Sequence, residues 1–156
     1  MKITEFLQPD AVLCPLRAGT KKQLLTELSA LAAKKFGLDS ARVFETLLQR
    51  EKLGSTGLGQ GIAIPHGKIA GIETVHAVFA RLAQPIAFEA VDDQPVDLVF
   101  MLIAPEQAGA DNLKALACIS RLMRDQALVQ KLRGTDSAAG LYALLAEEGV
   151  KSPHAA

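Results

Sequence analysis

One stretch leaves the fewest choices for the fold around it: GSTGLGQGIAIPHGK, residues 54–68. Glycines at 54, 57, 59 and 61 make a mobile, side-chain-poor approach. Ile62, Ala63 and Ile64 then read as a short buried strand, and Pro65, which cannot donate to a strand ladder, ends it. His66 therefore arrives at the mouth of a strand, with Gly67 behind it and the cation Lys68 next. Gly67 has no Cβ, so the backbone or phosphate of another molecule has room to approach. An exposed imidazole in that setting suits transient covalent chemistry.

Two nucleotide motifs come close to this run and fail. From Gly61 to Gly67 there are five intervening residues where a P-loop needs four, and Ile69 stands where a Ser or Thr would bind magnesium. After Gly57 and Gly59 the third glycine falls at 61, one place too early for a dinucleotide fingerprint. On spacing alone, a tight surface loop beside a capped strand explains the glycines equally well.

The surroundings read as helices, then strands, then helices. Thr20 and Gln23 form a capping-box signature, Leu24, Leu25, Leu28, Leu31 and Ala32 recur at helical spacing, and Gly37 is a stop. Asp39 or Ser40 opens a second helix that presents Val43, Phe44, Leu47 and Leu48 to a core and ends near Lys52. It thus delivers Arg50 and Glu51 to the neighbourhood of His66. Residues 74–82 are apolar on both faces and read as a buried strand, residues 84–88 as a short edge piece, and residues 96–103 as the central strand, ended by Pro105. Asp111 and Asp125 can each cap a further helix, and Thr135 or Asp136 a last one. The expected fold is α/β: a single-domain layered sandwich of a mixed sheet with helices on its faces, over residues 1–148, with a disordered tail at 149–156.

Composition removes several function classes. A chain of 156 residues is one ordinary domain. Its 17 basic and 17 acidic side chains leave no electrostatic footprint for nucleic acid or an anionic membrane. No stretch approaches the ~18 apolar residues of a membrane span, and the start MKITE lacks the apolar run of a signal peptide. Cys14 and Cys118 belong to no Cys-x-x-Cys pattern and read as buried thiols of a reducing compartment, which places the chain in the cytoplasm.

The remaining chemistry narrows to one histidine. His154 lies in the tail, and His76 lies within a strand, where a structural role suits it better. The histidines do not repeat at i, i+4 and no Cys pairs with them, so a metal site fits poorly. No Gly-x-Ser-x-Gly elbow is present, Cys118 falls on an apolar helical face, and Asp92 and Asp93 read as turn residues.

The segment Leu47 to Glu51, the run from Ser55 through Pro65, His66 and Gly67, residues 98–106 and the helical stretch 111–133 together resemble enzyme IIA of the fructose/mannitol class of the bacterial phosphotransferase system, most of all its stand-alone nitrogen-regulatory type. The resemblance implies that His66 is phosphorylated on Nε2 by an HPr-like phosphocarrier, the group originating in phosphoenolpyruvate, with no cofactor or magnesium in the transfer between histidines. It implies support for the phosphoryl group from Arg50, whose guanidinium can engage oxygens bidentately, from the glycine-run amides and Gly67, and from Lys68. In the family a second histidine opens the helix after the Ala-Pro-Glu-like turn; Asn112 stands there in this chain and cannot carry charge or move a proton. Because the chain ends soon after the domain, the regulatory type is favoured over a transporter component, with protein targets such as potassium-transport or sensor-kinase proteins. The alternatives are a fructose/mannitol-type IIA that donates to a separate IIB, and a binding module without phosphoryl chemistry.

Overall fold

The computed structural model describes residues 1–151. After a single 3-10 turn at Ile3–Glu5, the elements are β1 (Leu7–Leu16), α1 (Lys21–Phe36), α2 (Ser40–Lys52), β2 (Gly57–Gly59), β3 (Ile62–Ala63), β4 (His66–Lys68), β5 (His76–Ile86), β6 (Val96–Ala104), α3 (Gly109–Arg124), α4 (Gln126–Arg133) and α5 (Ala138–Lys151). Residues 152–156, most of the tail expected at 149–156 and including His154, lie outside the described residues.

Local signals act where expected. Thr20 Oγ1 caps α1 by accepting from Gln23 N–H at 3.1 Å, but the return contact of the capping box goes one residue further back, from Gly19 N–H to Gln23 Oε1 at 2.8 Å. Gly37 ends α1 in the left-handed region (φ 70°), with its N–H on Ala33 O. Asp39 and Asp125 cap α2 and α4. Two caps fall elsewhere. α3 begins at Gly109 behind Ala108 with no side-chain cap, which leaves Asp111 in its first turn. In α5, Ser137 rather than Thr135 or Asp136 accepts the first amide, from Gly140.

The sheet is mixed, in the order β1-β5-β6-β3-β2. β1 runs parallel to β5, β5 antiparallel to β6, and β3 parallel to β6. β4 also pairs with β6 in parallel, so β3 and β4 lie end to end along one side of it. β6 is buried from Leu98 to Ala104, which requires cover on both faces. α1 and α2 supply one cover: Phe36 stacks on His76, which pairs with Ile103, and Thr46 meets Gly67, which pairs with the same residue. α3, α4 and α5 supply the other. This is the layered α/β sandwich expected.

Three strand expectations change. β1 was not legible: Pro9, Asp10 and Pro15 interrupt its alternation, and its pairing with β5 carries two register shifts. The edge piece expected at residues 84–88 is the end of β5, whose Ile86 pairs with Val96. Pro65 interrupts the strand rather than ending it. Its carbonyl accepts from Leu102 N–H at 2.9 Å, and the chain resumes pairing at His66.

The glycine run is packed closely against its neighbours. It forms the β2–β3 hairpin, with Gly57 against Ala90, Gly59 against Asp92 and Gly61 against Arg133 and Asp97. Gly61 has φ +83°, and a Cβ there would lie 2.3 Å from Arg133 Nη2. Asp92 accepts from Gln60 N–H at 2.8 Å and Gln94 N–H at 3.1 Å, which extends its turn role to tethering the hairpin.

Candidate active site

His66 is the first residue of β4 and pairs with Leu102, at the C-terminal end of β6. The hairpin turn sits at the other end: Gly61 O accepts from the N–H groups of Asp97 and Leu98. Leu98 and Leu102 are four strand steps apart, about 13 Å at the usual rise. The amides of that turn therefore lie away from His66, and it is the start of the glycine run, residues 54–56, that connects to it, through the bond from Ile64 N–H to Thr56 O and the ring's contact with Ile64 O. The ring also feels the charges of Arg50 and Glu51 at the end of α2. His66 lies past the carboxyl end of β3, which runs parallel to β6, and ligand sites of open α/β sheets commonly lie at such strand ends.

The imidazole is half-buried, and its Nδ1 lies 2.6 Å from Ile64 O. A carbonyl oxygen only accepts, so Nδ1 carries the proton and donates it. Nε2 is left with a free lone pair. Burial is the main cause that lowers the His66 pKa below 6.5; the Ile64 bond opposes it, the Arg50 charge lowers it further and the Glu51 charge raises it. The net result is a neutral ring at pH 7.

Arg50, half-buried in the last turn of α2, donates from Nη1 to Gly54 O at 2.9 Å and acts on the ring through its charge. Lys68 is exposed, and strand alternation puts it on the same side of β4 as His66. Gly67 faces the opposite way: a Cβ there would sit 2.6 Å from Thr46 Cγ2, so the space its hydrogen leaves is occupied by α2. Asn112 is half-buried in the first turn of α3, and its N–H bonds to Ala108 O at 3.0 Å. His76 is apart from this group, stacked on Phe36 at 4.2 Å.

Sequence reasoning missed Lys21, Thr56 and the Ile64 carbonyl, and underread Glu51. Glu51 is 7% exposed; its Oε1 receives Thr56 N–H at 3.0 Å and lies 2.9 Å from Lys21 Nζ, and its Oε2 receives Thr56 Oγ1–H. A signal was present, because Glu51 continues the Val43, Leu47 stripe at i+4, and a carboxylate on a buried stripe needs partners. Of the cysteines, Cys118 is buried as expected and Cys14 is half-buried.

The ring makes a direct prediction. In an NMR titration His66 should titrate below 6.5, and Arg50→Ala should move it upward, since a positive charge that disfavours imidazolium is removed. His76, also lowered, by burial alone, should not respond. With both folded-state values depressed, the unfolded chain binds more protons over that window. Stability should therefore fall as pH drops from 6.5 through the folded-state values and be insensitive to these groups above 6.5.

A half-buried neutral imidazole with one nitrogen tied down and a guanidinium at hand is an arrangement that can accept a phosphoryl group. Over residues 5–148 the chain matches the family described as "Phosphoenolpyruvate-dependent sugar phosphotransferase system, EIIA 2", and it belongs to that family. Within it, a nitrogen regulatory protein of Bradyrhizobium diazoefficiens is 55% identical over 146 residues, 94% of this chain and 95% of that protein. The solved structure of nitrogen regulatory protein IIA-Ntr from Neisseria meningitidis superposes with a TM-score of 0.86 at 38% identity, over 92% of this chain and 98% of that one. The fructose-specific EIIABC component of Bacillus subtilis is 33% identical over 138 residues, 88% of this chain and 22% of that protein. Among the described residues no helix is long and apolar enough to cross a membrane.

Proposed function

We propose that this chain is a phosphoryl carrier whose His66 accepts the group on Nε2 from the phosphohistidine of an HPr-like protein, and that it serves nitrogen-related regulation in the cytoplasm. The observation that carries the reading is the 2.6 Å contact between Nδ1 and Ile64 O, which fixes the tautomer with Nε2 as nucleophile. The Nε2 lone pair forms the new N–P bond as the donor's N–P bond breaks, and the donor ring nitrogen keeps that electron pair. No proton has to move, because Nδ1–H remains on Ile64 O throughout. Transfer of this kind depends on positioning and charge stabilisation.

Arg50 supplies the charge. Its fork suits two phosphoryl oxygens, and swinging from Gly54 O to the incoming group exchanges a neutral hydrogen bond for a charge-assisted one. Lys68 adds a cation on the same side. Asn112 offers an amide where the family has a histidine, so it donates to an oxygen without changing charge. The regulatory reading is supported by the name and 55% identity of the Bradyrhizobium relative, against 33% for the fructose component; the targets proposed for it are potassium-transport or sensor-kinase proteins.

The test is intact-mass spectrometry after incubation with phosphoenolpyruvate, enzyme I and an HPr-like carrier. One acid-labile phosphoryl group is expected, absent from His66→Ala. No added mass, with the donors active on a control enzyme IIA, would leave a pure binding module as the better account.

A further inference from the structure

Glu51 is held far more firmly than a carboxylate near a phosphoryl-accepting histidine needs to be. It occupies the buried stripe of α2 after Val43 and Leu47, and its carboxylate bonds to Thr56 and Lys21. Lys21, the first residue of α1, is itself fixed: its Nζ lies 3.4 Å from Phe88 O and 4.3 Å from the Phe88 ring centroid. Phe88 O also accepts from Ser55 Oγ at 3.0 Å. The start of α1, the end of α2 and the loop before β6 thus converge on residues 55 and 56.

From Thr56 a path of two hydrogen bonds leads to the ring. Thr56 O accepts from Ile64 N–H at 3.1 Å, and Ile64 O accepts from His66 Nδ1–H at 2.6 Å. We infer that the Lys21–Glu51 ion pair is the positioning element of His66: by clamping Thr56 it sets Ile64, whose carbonyl selects the Nδ1–H tautomer and leaves Nε2 free. Glu51 does not touch the ring or the reacting atoms; it acts through Thr56 and Ile64. Two steps transmit the placement: a hydrogen bond between rigid peptide units, from Ile64 N–H to Thr56 O, and the ring's own bond from Nδ1–H to Ile64 O. The ring's sensitivity to the Glu51 charge agrees with this closeness. The effect on transfer rests on the carrier reading, whereas the effect on the tautomer does not.

A pair that only joined α1 to α2 would change stability and nothing at the ring. Glu51→Gln separates the two roles, since it keeps the size but presents an NH₂ donor towards Lys21 or Thr56, which have donors of their own. In unphosphorylated protein with ¹⁵N-labelled histidine, long-range ¹H–¹⁵N spectra above pH 7 should show the Nδ1–H form of His66 in the wild type. Glu51→Gln should show a mixture of tautomers, with the His76 signals unchanged, and phosphoryl acceptance slower by roughly 10- to 100-fold. Lys21→Met should act in the same direction. A folded Glu51→Gln protein with the wild-type tautomer overturns the inference. If Glu51→Gln loses its cooperative unfolding transition, Thr56→Val decides: it removes only the Oγ1 donor, a smaller tautomer shift is expected, and none overturns the proposal. If wild type accepts no phosphoryl group, the carrier reading fails by itself and the tautomer result still decides this one.

Discussion

Arg50→Ala should slow phosphoryl acceptance by His66 by about 10²- to 10³-fold, the usual cost of losing a preorganised donor aimed at developing charge. Its effect on folding should be small by comparison. The side chain is half-buried at the end of a helix and makes one loop bond, to Gly54 O at 2.9 Å, worth about 1 kcal/mol. Arg50→Lys separates charge from shape. An ammonium near the same place should hold the His66 pKa low but cannot present a planar fork, so the ring titration should stay near wild type while most of the rate is lost. Quench-flow measurement of acceptance from a phosphorylated HPr-like donor, beside the NMR titration, distinguishes the two. Wild-type rates in Arg50→Ala would remove Arg50 from the site.

Gly67→Ala should be nearly as damaging, through packing. The added methyl would lie 2.6 Å from Thr46 Cγ2. Thr46 cannot turn away freely, because β-branching restricts its rotamers and its hydroxyl is bonded to Arg42 O at 2.8 Å. α2 must therefore shift outward, at a cost of about 1–3 kcal/mol for overpacking. Arg50 sits one turn after Thr46 on the same side of α2, so the shift carries the guanidinium from its place, and a displacement near 1 Å is enough for about a hundredfold loss of rate. The second-site change Thr46→Ala removes the opposing methyl. Gly67→Ala with Thr46→Ala should recover both the melting temperature and most of the rate. A double variant as slow as Gly67→Ala would show that Gly67 matters for approach of the phosphoryl group, the role its missing side chain suggested in the sequence.

That contrast shows what was legible and why. The two helices before the glycines, the central strand and the delivery of Arg50 towards His66 rest on local signals: periodicity, caps and an unbroken apolar run. The layered α/β fold followed from their order. β1 was invisible because prolines at 9 and 15 break its alternation, and its place comes from pairing with β5, some 60 residues away in sequence. The sequence leaves a mobile approach and a tight loop equally open for the glycine run, because flexibility and close packing call for the same residue. Only the positions of Ala90, Asp92, Asp97 and Arg133 reveal that the glycines fit a hairpin pressed against its neighbours. His66 stands out in the sequence, but the group that sets its tautomer is a backbone carbonyl, which any residue type at position 64 would supply. Lys21 is likewise remote, brought to Glu51 by the packing of α1 against α2.

The most direct test is NMR of the phosphorylated protein with ¹⁵N-labelled histidine rings. The expected result is phosphorus coupled to Nε2 of His66, with Nδ1 still protonated on Ile64 O. Phosphorus on Nδ1, or on a side chain other than His66, would contradict the account.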